Sequence, residues 1–81
     1  MNIAYDRDGD VLYVTLSGRD SYGVPSDKIP NVIVRKDMET NEITGVTIAL
    51  FSKLPIEEIR EAVPFDLPPR IDLLRMLKRH D

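Results

Sequence analysis

Through residue 51 the apolar residues of this 81-residue chain recur at every second position, and beyond Ser52 they recur every third or fourth. The first spacing belongs to half-buried strands and the second to amphipathic helices, so strands are expected first and helices after. Residues 3–5 form a short apolar run that ends in Asp6-Arg7-Asp8-Gly9-Asp10, where Asp and Gly supply the acceptors and the positive φ of a tight turn. Residues 11–17 are rich in β-branched and aromatic side chains. They put Leu12, Val14 and Leu16 on one face, the expected core, with Val11, Tyr13 and Thr15 opposite. Residues 18–27 mix Gly, Ser, Asp and Pro25 and read as a long exposed loop, the most mobile part of the chain. A third strand follows over residues 29–35, with Pro30 at its start. Residues 37–42 turn the chain into a fourth strand over residues 43–51, with Val46, Ile48 and Leu50 expected in the core. Gly45 inside that strand predicts a bulge or a close backbone approach.

After Ser52, Pro55 suits the first position of a helix and Glu57 and Glu58 suit its positive end. Ile56, Ile59 and Val63 share a face before Pro64 stops a helix of about two turns. A second helix is expected from Pro69 or Arg70, with Ile71, Leu74 and Leu77 at i, i+3 and i+6 and with Leu73 and Met76 widening the stripe. The expected fold class is α+β: a four-stranded antiparallel β-meander followed by one short and one longer C-terminal helix. Residues 1–81 read as a single domain, with the meander in 1–51 and the helical segment in 52–81.

Composition narrows the function more than the fold. A chain this short buries only about 60% of its unfolded surface, and small domains lean on disulfides, metals or a second subunit. Cysteine is absent, so oligomerisation, most simply a homodimer, becomes the expectation. The same absence fits a reducing cytosol. The first residues lack the basic and apolar pattern of a signal peptide, and no apolar run is long enough to span a membrane. The net charge is −3 but uneven: residues 70–81 hold four of the 11 basic groups and two of the 14 acidic ones. An acidic body repels a phosphate backbone, so nucleic acid is a poor partner except weakly, through the basic C-terminal helix.

Candidate chemistry is sparse. Asp6, Asp8 and Asp10 alternate as the carboxylates of a calcium loop do, yet an EF-hand loop beginning at Asp6 needs Gly and Glu where this chain has Val11 and Ser17. They are the weak metal candidates, and the basis for an alternative reading as a small metal-dependent enzyme. Asp6 and Asp37 form an acid–base pair only if folding brings them together. His80 is the sole histidine, which leaves zinc without ligands. No nucleophile elbow and no glycine-rich phosphate loop occur, so no cofactor is expected and the balance points away from an enzyme. Interaction residues are expected at Tyr13, on the strand face opposite Leu12, and at Ile71, Leu74, Arg75 and Leu77, whose stripe packs on its own sheet, on a second copy, or in a groove of another protein.

Tyr5-Asp6, Asp10, the run Leu12-Tyr13-Val14 with Leu16-Ser17, then Val32-Ile33-Val34 and Ile43, Gly45-Val46 and Ile48 resemble the small bacterial and archaeal domain-of-unknown-function family numbered 2283, over residues 1 to about 54. Thr44 and Thr47 stand where that family usually has valine and glutamate. The resemblance implies a compact β-meander closed by a helix. Members are often encoded beside small toxins, which implies an antitoxin-like role with a small protein partner.

Overall fold

The computed structural model describes residues 2–67. It holds five strands, β1 (Asn2–Asp6), β2 (Val11–Thr15), β3 (Ser21–Pro25), β4 (Val32–Asp37) and β5 (Ile43–Ala49). A 3₁₀ turn (Phe51–Lys53) and a helix α1 (Ile56–Ala62) follow. They make one antiparallel sheet in the order β1-β2-β5-β4-β3.

The four-strand meander is therefore corrected on two counts. Residues 18–27 contain β3, which pairs with β4. The sheet is not a meander, because β2 lies against β5 and the chain then crosses to the far edge before β3 begins. One short helix is described, and the second expected helix, with Ile71, Leu74, Arg75 and Leu77, falls outside the described residues.

Register aligns the core. Ile3, Val14, Val46 and Val34 stand abreast, with Val24 exposed at the β3 edge of the same row, and Tyr5, Leu12, Ile48 and Val32 form the next row. Leu12, Val32 and Ile48 are completely buried. Phe51, Ile59, Ala62, Val63 and Leu67 cover these rows and complete a single apolar cluster. Within it Tyr5 and Phe51 meet edge to face, with centroids 6.0 Å apart. Pro55 precedes α1 as its cap rather than opening it, Glu57 and Glu58 lie in the first turn, and Ile59 is the residue the helix buries most deeply.

Two expected core residues are exposed. Leu16 lies just past the last β2–β5 pair, Thr15 with Gly45, where the chain leaves the sheet. Leu50 takes a left-handed conformation, φ 55° and ψ 41°, so the alternation stops at Ala49 and Phe51 enters the core in its place.

The bulge expected at Gly45 is present. Pairing of β4 with β5 steps from Arg35–Gly45 to Lys36–Ile43, which leaves Thr44 as the extra residue. Its carbonyl accepts from both Leu16 and Ser17 N–H, at 2.8 and 3.1 Å. A Cβ on Gly45 would lie 2.3 Å from the Val14 carbonyl oxygen, so only glycine fits so close to β2.

Candidate interface and polar pocket

The described helical cover lies on the Leu12 face, and no described element covers the opposite face of the sheet. Its central row runs Ala4, Tyr13, Thr47, Ile33, Pro25 across all five strands and contains no charged side chain. Every member is half-exposed or exposed, Tyr13 at 39%. Val11 and Ala49 extend the apolar surface toward one end. Toward the other stands the row Thr15, Gly45, Arg35, Gly23, in which Arg35 alone is charged. Alternation placed Tyr13 on this face, as expected; the continuity of the row required the strand order.

At the Thr15 end the segment linking β2 to β3 passes over the start of β5 and the end of β4. Arg19 in this segment reaches across to Asp37 (Nε–Oδ2 3.1 Å) and Glu42 (Nη2–Oε2 3.2 Å). Asp37 is buried, and its Oδ1 accepts the backbone N–H of Glu39 at 2.7 Å and of Thr40 at 3.1 Å. Those two N–H groups, with the Arg19 guanidinium behind them, hold the Asp37 carboxyl below the usual carboxylate range against the cost of burial.

Between the crossing segment and the bulge lies a pocket of about 110 Å³. Ser17, Arg19, Ser21, Arg35, Thr44 and Gly45 line it, and no carboxylate does. Each arginine is steadied by a serine: Arg19 Nε donates to Ser17 Oγ at 3.1 Å and Arg35 Nε to Ser21 Oγ at 3.3 Å. Arg19 is committed to acids as well, whereas Arg35 has no carboxylate partner among the described residues. Thr44 is 2% exposed, and its Oγ1 has no hydrogen-bond partner among the described residues. Leaving a buried hydroxyl unpaired costs about 1–3 kcal/mol. Of this site only Gly45 carried a signal in the sequence. Ser17, Arg19, Ser21, Arg35 and Thr44 are ordinary strand and loop residues until the crossing segment is laid over the bulge.

Two of the weak metal candidates, Asp6 and Asp10, are taken up in structural roles. Asp6 Oδ1 accepts from the N–H groups of Asp8 and Gly9 at 3.1 and 3.3 Å, an Asx-type turn. Asp10, at φ 54°, takes the Tyr5 hydroxyl at 2.7 Å on Oδ1, with the Ser52 N–H at 3.0 Å on the same oxygen and the Ser52 hydroxyl at 2.7 Å on Oδ2. The Tyr5 bond first and the Ser52 bonds second lower the Asp10 pKa, and the same Tyr5 bond raises that of the phenol. Among the described residues no three acids or imidazoles gather to hold a metal. Asp6 and Asp37 stand at opposite ends of the sheet, one in the Val11–Ala49 row and the other opposite Ser21. No helix among the described residues is long and apolar enough to cross a membrane.

No family model, curated protein or solved structure matches the chain. The likeness to domain-of-unknown-function family 2283 rests on the residues alone.

Proposed function

We propose that the chain is a non-enzymatic interaction module that works as a homodimer, the open sheet face of one copy seated on the same face of another. One observation carries this reading: the uncharged row from Ala4 through Tyr13, Thr47 and Ile33 to Pro25, which crosses five strands with no helix over it among the described residues. Two copies facing each other there bring no like charges together along that row. A face five strands wide and about five residues long projects about 24 by 17 Å, on the order of 400 Å² per copy. A standard interface buries about 800 Å² of accessible surface per partner, so the contact is small and its affinity is expected in the micromolar range.

Sedimentation velocity from low micromolar to near-millimolar concentration tests the reading. The wild type is expected to shift from monomer toward dimer, and Tyr13→Glu, which places a carboxylate on both copies at the centre of the row, to remain monomeric. A wild type that stays monomeric throughout sinks the proposal, as does a Tyr13→Glu variant that dimerises equally well.

A further inference from the structure

The pocket beneath the β2–β3 crossing offers donors without a matching acceptor. Arg35 brings a guanidinium that is free of carboxylates among the described residues, Ser17 and Ser21 bring hydroxyls, and Thr44 brings a buried hydroxyl with no partner there. Gly45 keeps side-chain bulk out of one wall. Asp37 and Glu42 are both engaged by Arg19, and neither they nor Asp20, between Arg19 and Ser21, line the pocket. A cation would find only hydroxyl and carbonyl oxygens beside two fixed positive charges, whereas an oxyanion would find donors on several sides. One water needs about 10–15 Å³ of such space, so a pocket of about 110 Å³ has room for a small polyatomic ion.

We infer that this pocket is a phosphate-binding site, in which Arg35 and the Thr44 hydroxyl hold a phosphate group, free or at the end of a small ester. Arg35 supplies the charge from the open side, and its Nε–Ser21 bond fixes the direction of the fork. Thr44 donates from the bulge, which explains why a hydroxyl is buried where valine would pack without penalty. The acids beyond Arg19 weaken the local positive potential, so binding is modest and depends more on geometry than on net charge.

The test is a ¹H–¹⁵N titration of the full chain with inorganic phosphate at constant ionic strength, chloride making up the balance, with phenyl phosphate in parallel. Saturable shifts are expected at the amides of Ser17, Gly18, Thr44 and Gly45. Thr44→Val and Arg35→Gln are each expected to weaken binding by about tenfold or more. Thr44→Val removes only the unpaired hydroxyl and is expected to melt no lower than the wild type, so weaker binding by that variant reports the site rather than unfolding. Binding of inorganic phosphate alone identifies the free ion as ligand, and equal or tighter binding of phenyl phosphate identifies an ester. Shifts that fail to saturate with either compound, or a Thr44→Val variant that binds as tightly as the wild type, overturn the inference.

Discussion

Asp10 and Asp37 do opposite ends of the same job, each tying a turn to a distant part of the chain through its carboxylate. Asp10 fastens the β1–β2 turn to Ser52, which lies just after β5, and Asp37 fastens the β4–β5 turn to the crossing segment through Arg19. Both are more acidic than an ordinary aspartate because hydrogen bonds favour the ionised form. A carboxyl depressed on folding contributes stability that is fully present above its unfolded pKa, near 3.9, and is lost as pH falls through the folded value. The melting temperature is therefore expected to be level above about pH 5 and to drop below about pH 4. Asp37→Asn is expected to melt lower than the wild type at pH 7, with the gap closing toward pH 3. Circular-dichroism melts across that range check it, and a gap of constant size would remove the carboxylate from the account.

Among the elements, β5 is the one on which the sheet depends, since it lies between β2 and β4 and carries the bulge. Gly45→Ala forces a methyl against the Val14 carbonyl and Thr15 Cα, backbone atoms that cannot rotate away. Overpacking of this kind costs about 1–3 kcal/mol, or roughly 5–20 °C in a domain of this size. A thermal melt of that variant matching the wild type would mean that β2 and β5 part more easily than their register implies. Strand β5 and its bulge were legible in the sequence because β-branched alternation and one misplaced glycine are local signals. Strand β3 was not, because Gly23 and Pro25 read as loop. Gly23 is needed there because a Cβ would lie 2.7 Å from Ile33 Cγ2, and Pro25 is tolerated because β3 is an edge with one side unpaired. Leu50 misled for the converse reason: its pattern continued after its backbone had turned, so hydropathy alone placed it in the core.

At the scale of the molecule, one helix and one turn cover one side of a five-stranded sheet, and no other described element covers the second side. That asymmetry was foreshadowed by the Tyr13 face, but the row that makes it a surface depends on β2 lying beside β5, a long-range pairing that no local spacing encodes. If two copies share that surface, association stabilises the folded state by mass action. The wild-type melting temperature is then expected to climb with protein concentration, whereas that of Tyr13→Glu stays constant; parallel scanning-calorimetry runs at several concentrations decide between them. The pocket at the Thr15 end has the same origin, since it exists only where residues 16–20 are laid across two strands made later in the chain.

That crossing also sets an order on assembly. The β1–β2 hairpin docks on β5, the last of the described strands to be synthesised, so Leu12 and Val14 find no strand neighbour to their inner side until residues 43–49 have left the ribosome. A nascent chain halted after residue 42 has only the β3–β4 pair to offer, and the greasy side of the first hairpin stays in water until the remaining thread arrives to zip the two halves together.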